Sequence, residues 1–170
     1  MTTKEDEKRS RKDERAKLTI ADANEQTRRV QEAVARRAYA IFKSHGSGSS
    51  HELQDWGQAE SDLVRPLCCG RTTVGDSLWI GTDAGIFEAG TIEIWIAPRK
   101  ITICGKPRAD RVDVQRVGPG SDEERIFRVL DLCIDLDPSH ATAKLNGPSL
   151  EILARKAQVK PRHEARASAA

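Results

Sequence analysis

The chain has 170 residues, of which 38% are hydrophobic, 4% aromatic and 32% charged. This is little apolar material for the length, so we expect one modest core with solvated ends. The basic and acidic side chains nearly cancel to a net charge of +2. Overall charge therefore indicates neither a nucleic acid nor an acidic substrate as the partner.

The cellular location of the protein and the redox state of its cysteines are predicted from features that the sequence lacks. No apolar stretch approaches the about 18 residues that a membrane helix needs, and the N-terminus has no apolar region resembling a secretory signal. We expect a cytoplasmic protein without a membrane partner. The four cysteines include the neighbours Cys68 and Cys69 but no C-x-x-C motif, which favours reduced thiols over a disulfide framework or a zinc site. Redox sensing by that pair is the alternative, and it needs an electropositive setting.

The first third of the chain predicts an arm and a helical hairpin. Residues 1–20 carry dense charges of both signs, which indicates a disordered arm. In residues 21–66, apolar side chains recur at three- and four-residue steps on both sides of a glycine- and serine-rich loop, as on two helices. These side chains are Val30, Val34, Ala38 and Ile41, then Leu53, Trp56, Ala59 and Leu63. Ser49 and Glu52 have the spacing of a capping box at the second helix.

After Pro66 the hydrophobic period changes from about 3.6 to about 2, which marks the clearest boundary in the chain. Short alternating segments between turn residues predict strands. They contain Leu78 and Ile80, Ile92 to Ile96, Ile101 and Ile103, Ile126 to Leu132, Ala141 to Leu145, and Leu150 and Ile152. We therefore expect a mainly β fold, an immunoglobulin-like antiparallel β-sandwich over residues 74–156, and a flexible tail over residues 157–170. Val112 and Val114 alternate within the polar segment 106–124 and could form an edge strand.

Three motifs follow one another in the strand region. They are Ile101-Thr102-Ile103-Cys104-Gly105-Lys106, then Ile126-Phe127-Arg128-Val129-Leu130-Asp131-Leu132-Cys133, then Asp137-Pro138 followed by Ala143, Asn146-Gly147 and Leu150. Over about residues 74–156 they resemble the L-x-I-x-G-[KR], F-x-R-x-F-x-L-P and V-D-P-x-x-x-x-A-x-x-x-N-G-V-L patterns of the small heat-shock proteins. The resemblance implies an α-crystallin-like sandwich.

The same resemblance implies a function. It implies an ATP-independent holdase of the stress response, an oligomer built from homodimers that binds unfolded or partly folded client proteins. A groove for clients or partners is then expected between the family's fourth and eighth strands, at Ile92, Ile94, Ile96, Ala143 and Leu145. Arg128 is expected in an ion pair at the dimer interface. The alternatives are ordinary core positions for the isoleucines and a solvent-facing position for the arginine.

Two further patterns qualify this expectation. The tail has no I-x-I motif, the segment by which family members dock onto a neighbouring sheet, which argues against large assemblies. The hairpin carries Ala38-Tyr39-Ala40-Ile41-Phe42 and Asp55-Trp56-Gly57-Gln58-Ala59-Glu60. Over about residues 28–65 these resemble a short bacterial domain of unknown function, marked by A-Y-x-x-[WF] and D-W-x-x-A-E. This resemblance implies a bacterial source and a modular chain.

Catalytic chemistry is not indicated. No nucleophile, base and oxyanion set occurs, so we expect no enzyme, no cofactor and no catalytic residue. Of the four histidines only His45 and His51 could lie close together, and exposed, non-ligand histidines are favoured over a metal site. The basic residues of the arm alternate with acidic ones, which argues against nucleic-acid binding. The alternative to a holdase is an adaptor that binds one specific protein without general chaperone activity.

Overall fold

The computed structural model describes residues 16–45, 51–110 and 125–158. Along these residues the elements are β1 (Lys17–Ile20), α1 (Ala23–His45), α2 (Glu52–Leu63), β2 (Val64–Pro66), β3 (Cys69–Val74), β4 (Ser77–Asp83), β5 (Glu93–Ala97), β6 (Lys100–Gly105), β7 (Ile126–Asp131), β8 (Leu136–Asn146) and β9 (Ser149–Lys156). The predicted edge strand at Val112 and Val114 lies outside the described residues, as do most of the predicted arm and of the predicted tail.

The strands form two sheets that pack face to face. Sheet A has the strand order β1-β5-β6-β7-β2, and sheet B has the order β3-β4-β9-β8. Neighbouring strands are antiparallel except at the two edges of sheet A, where β1 runs parallel to β5 and β2 runs parallel to β7. The predicted β-sandwich with an N-terminal helical hairpin is confirmed, and the six predicted strands are β4 to β9.

The core lies between the two sheets and follows from the alternation along the strands. On sheet A, Ile94 and Ile103 are paired neighbours with no exposed surface. On sheet B, Ile80 and Ile152 are paired in the same way and are equally buried. Because paired residues of neighbouring strands point to the same face, each sheet presents a continuous apolar inner face to the other.

Helix α1 covers the outer face of sheet A through polar contacts. Gln26 is fully buried, and its side-chain oxygen accepts a hydrogen bond from the hydroxyl of Thr102 at 2.8 Å. Beside it the ammonium of Lys100 donates to the hydroxyl of Thr27 at 3.1 Å. The guanidinium of Arg29 lies 5.3 Å from the centre of the Trp95 ring, a cation–π contact. Sheet A is thus covered on both faces.

The hairpin itself buries only part of its predicted apolar stripe. On α2, Ala59 and Leu63 are buried, whereas Leu53 is 90% exposed and Trp56 is 41% exposed. The predicted capping box is wrong, because the cap position of α2 is His51 and no side chain caps it. Ser49 itself lies outside the described residues. The amide of Asp55 instead bonds the carbonyl of His51 at 2.9 Å, so the helix begins two residues later than the spacing indicates.

Three short strands are absent from the sequence-based prediction. Residues Lys17–Ile20 belong to the predicted disordered arm, yet they form β1 because they pair with β5. Val64–Pro66 form β2 by pairing with β7, and Cys69–Val74 form β3 by pairing with β4. None of the three has an alternating apolar pattern long enough to predict a strand, and each is formed by a partner distant in the chain.

Candidate functional site

The predicted groove corresponds to the space between β5 on sheet A and β8 on sheet B, which we call the β5–β8 cleft. The two strands lie against each other across the sandwich. Ile92, Ile94 and Ile96 are buried, with at most 4% of their surface exposed. Ala143 and Leu145 are half-buried and pack against the core. A partner at this cleft would therefore meet the backbone edge of β5 and the side chains of β8, and the groove role of the five residues stays a prediction.

In the structure β1 occupies the mouth of this cleft. The amides of Lys17 and Ala21 donate hydrogen bonds to the carbonyls of Ile92 and Ile96, each at 3.1 Å. In the parallel register Leu18 lies beside Ile94, and β1 also lies against β8. An extended segment of the chain therefore already covers the edge of β5.

The side chains of β1 contribute unequally to this contact. Leu18 is half-buried and packs against the core, on the same face as its neighbour Ile94. Ile20 points to the same face two residues later but is 61% exposed. The segment is therefore held by backbone hydrogen bonds and by one apolar side chain. Sequence reasoning missed it, because the L-x-I pattern in Leu18-Thr19-Ile20 is too short to predict a strand by itself.

A charged cluster borders the outer side of β5. The carboxylate of Glu93 lies 3.0 Å from the guanidinium of Arg125 and accepts a hydrogen bond from the indole of Trp95 at 3.2 Å. Partial burial alone would raise the pKa of Glu93, but the Trp95 hydrogen bond and the positive charge of Arg125 outweigh it, so the pKa is lowered. On the neighbouring strand, burial raises the pKa of the Cys104 thiol to about 11 even though Arg125 opposes this. Cys104 is therefore an unreactive thiol.

Arg128 lies on β7 near the other edge of sheet A. Arg128 pairs with Ile103 of β6 on one side and with Arg65 of β2 on the other. Its guanidinium donates a hydrogen bond to the carbonyl of Phe127 at 2.9 Å. Burial, and next the positive charge of Arg65, lower the pKa of Arg128. Within residues 16–45, 51–110 and 125–158 no carboxylate forms an ion pair with Arg128. Its role at a dimer interface stays a prediction.

The remaining candidates do not form a reactive site. His45 lies 3.3 Å from a carboxylate oxygen of Asp55, and the described part of the chain holds no group of three side chains that could bind a metal ion. Cys68 is exposed and Cys69 is half-buried. Burial raises the pKa of Cys69, which works against the reactive thiolate that redox sensing needs.

Two surfaces stand open to solvent. The edge strand β3 pairs on one side with β4, and most of its residues are exposed. On the outer face of sheet B, Leu153 is 42% exposed.

Neither of the two helices that the structure describes is long and apolar enough to cross a membrane.

Comparison with known proteins divides the chain into the same two regions. The sequence model of a family described as "Protein of unknown function (DUF2934)" matches residues 29–63, which include most of the hairpin. No curated protein matches the chain in sequence.

Solved structures similar to the chain are small heat-shock proteins. Heat shock protein 16.0 from Schizosaccharomyces pombe is 13% identical, with a TM-score of 0.42, and the match covers 62% of this chain and 84% of that one. The hspA protein from Xanthomonas axonopodis is 17% identical, with a TM-score of 0.40, over 55% of this chain and 94% of that one. The rat alpha crystallin domain is 15% identical, with a TM-score of 0.35, over 54% and 91%. The chain is thus similar to small heat-shock proteins in structure and to a domain of unknown function in the sequence of its hairpin.

Proposed function

We propose that the chain is an ATP-independent holdase that binds extended segments of non-native proteins at the β5–β8 cleft. The observation that carries this proposal is β1, an extended segment held at the edge of β5 by backbone hydrogen bonds and by the side chain of Leu18. Backbone pairing at a sheet edge makes few demands on side chains, so the same contacts suit many client sequences. The three sequence motifs of the small heat-shock proteins support the same function.

The holdase is tested by light scattering from a thermally unfolding client without ATP. We expect suppression of scattering at near-equimolar dimer. Leu145→Ser removes an apolar side chain from the cleft side of β8 and should weaken suppression, whereas Lys144→Ser changes the neighbouring exposed residue and should not. Undiminished scattering in the presence of the folded wild-type chain would contradict the holdase.

We propose that the working unit is a homodimer in which Arg128 meets a carboxylate of the second copy. The half-buried guanidinium supports this, since a buried charge without a counter-charge is costly. Arg128→Ala should weaken the dimer at least about tenfold in sedimentation experiments, because truncating one partner of a buried charge pair costs more than about 1.4 kcal/mol. Arg65→Ala, at an exposed position beside it, is the control. An unchanged dimerisation constant for Arg128→Ala would show that the assigned role is wrong.

The second candidate is an adaptor that binds one specific partner through the hairpin. It is favoured by exposed apolar side chains on the helices, where Tyr39 is 61% exposed, Leu53 is 90% exposed and Trp56 is 41% exposed. An adaptor forms a complex of defined stoichiometry and does not suppress general aggregation. Leu53→Asp should abolish that complex and leave client scattering as it is in the wild type.

A further inference from the structure

A cavity of about 570 Å³ lies between helix α2 and the strands β2 and β7, at the edge of sheet A that is farther from the β5–β8 cleft. We call it the α2–β7 cavity. It exists only because the helical hairpin lies against the sandwich. Its volume is within the range of small-molecule sites, about 300 to 1,000 Å³, so we ask what kind of molecule its lining would hold.

The floor of the cavity is apolar because of the alternation along β2 and β7. Val64 and Pro66 of β2 share one face of the sheet with Val129 of β7, and all three line the cavity. The free edge of β2 is a poor template for another strand. Pro66 has no amide, and the amide of Val64 bonds the carbonyl of Glu60. The cavity therefore suits an apolar body held by side chains rather than an added strand.

The helical wall of the cavity has a gap at Gly57. This glycine recurs with Glu60, Ser61 and Val64 at three- and four-residue steps, so these residues share one face of α2. A Cβ atom at Gly57 would meet no atom within 4 Å, and the φ angle of this residue is not positive. Neither packing nor backbone geometry thus requires a glycine, which is less favourable in a helix than alanine. The missing side chain leaves room for a ligand above the floor.

The rim of the cavity is acidic. Glu60 of α2 and Asp131 at the end of β7 both line it and are exposed. Within the described ranges of the chain, neither carboxylate takes part in an ion pair. Lys100 pairs with Asp131 in register, but its ammonium donates to the hydroxyl of Thr27 instead. Two carboxylates are therefore available to a ligand.

One basic residue, Arg65, also lines the cavity. Because successive residues of a strand point to opposite faces, its side chain leaves β2 on the face opposite to Val64 and Pro66. On that face it is paired with Arg128, whose pKa is lowered by burial and next by the charge of Arg65. The carboxylates outnumber this guanidinium, so the rim favours a positive charge.

We propose that the α2–β7 cavity binds a small organic cation with an apolar ring. The ring packs between Gly57 and the floor formed by Val64 and Val129, and the cationic group lies between Glu60 and Asp131. Burial of the ring supplies most of the affinity. The exposed carboxylates add a moderate attraction that selects a cation over an anion of the same shape.

The test is calorimetric titration of the full-length chain with three probes that carry the same naphthyl ring. Naphthylethylamine is a cation at neutral pH, naphthylethanol is neutral and naphthylacetate is an anion. We expect the amine to bind about fivefold more tightly than the alcohol, as two exposed ion pairs would give. The acetate should bind most weakly.

Two sets of variants locate the site. Gly57→Leu fills the cavity and should weaken binding of the amine at least about tenfold, without loss of thermal stability, because leucine is the better helix former. Gln54→Leu adds the same side chain at an exposed position of α2 that does not line the cavity and should bind as the wild type does. Glu60→Gln combined with Asp131→Asn should remove the preference for the amine, whereas Glu52→Gln should keep it.

The proposal is overturned if the wild type binds none of the probes or binds all three equally. It is also overturned if a folded Gly57→Leu chain binds the amine as the wild type does. Should Gly57→Leu fail to fold, the rim variants decide: loss of the charge preference supports the site, and a retained preference contradicts it. These outcomes are independent of client suppression, because the cavity and the β5–β8 cleft lie towards opposite edges of sheet A.

Discussion

The two sheets of the sandwich differ in how their outer faces meet solvent. On sheet A the outer residue Thr102 has no exposed surface, whereas on sheet B the outer residue Leu153 is 42% exposed. Thr102 shares that outer face with the aromatic side chains of Trp95 and Phe127, which are also buried. Helix α1 buries this face of sheet A. Polar side chains of the helix form hydrogen bonds with polar side chains of the sheet.

This difference shows that the alternation of apolar and polar residues along a strand identifies one buried face of a sheet. It does not identify a second interface on the opposite face. The buried isoleucines of both sheets, such as Ile94 and Ile103 on sheet A and Ile80 and Ile152 on sheet B, mark the core between them. The second interface of sheet A uses Gln26, Thr27 and Arg29 of α1, residue types that usually face water. A buried interface made by hydrogen bonds and a cation–π contact resembles a solvated surface in the sequence.

The largest expected effect separates the two faces of a single strand of sheet B. Ile152→Ala should destabilise the fold by about 2 to 5 kcal/mol, because it leaves a cavity at a position with no exposed surface. Leu153→Ala, the next residue and on the open face, should cost less than about 1 kcal/mol. Chemical denaturation of both variants measures the difference. Equal losses would mean that the outer face of sheet B is covered, as that of sheet A is.

A smaller effect is expected at the polar interface between α1 and sheet A. Gln26→Leu removes the partner of the Thr102 hydroxyl, and we expect a loss of about 1 to 3 kcal/mol because a buried polar group is left without that hydrogen bond. Thr102→Val in the same chain should recover part of the loss, and the double-mutant cycle in urea gives the coupling. Additive losses would contradict a direct interaction between the two side chains.

The smallest effect is expected at the margin of the same interface, where Arg125 pairs with Glu93. Arg125→Gln should cost less than about 1 kcal/mol at neutral pH, since the pair is partly exposed. The lowered pKa of Glu93 contributes stability that is present above its usual value of 4.5 and is lost as the pH falls through its folded value. In the variant, the stability should fall less steeply as the pH is lowered. NMR titration should give a higher pKa for Glu93 than in the wild type.

The control for the last prediction is Arg99→Gln, at an exposed ion pair with Asp135. It should change neither the stability by a measurable amount nor the titration of Glu93. An acid dependence in Arg125→Gln as steep as in the wild type would contradict the assigned cause of the lowered pKa.

Much of the candidate site could be predicted from the sequence, and the missing part has a clear cause. The alternation of Ile92, Ile94 and Ile96 predicts β5, and Ala143 and Leu145 mark the facing strand β8. Their place on two sheets that meet follows from the resemblance to the small heat-shock proteins. The occupant of the cleft could not be predicted, because Lys17–Ile20 follow a highly charged segment and become a strand only by pairing with β5.

Local patterns in the sequence determined the helical hairpin, six of the strands and the inner faces of both sheets, because the periods of helices and strands are properties of neighbouring residues. Only the tertiary structure decided that β1, β2 and β3 are strands and that α1 covers sheet A. The physical reason is that edge pairing and buried polar contacts depend on partners such as Gln26 and Thr102, which are 76 residues apart in the chain.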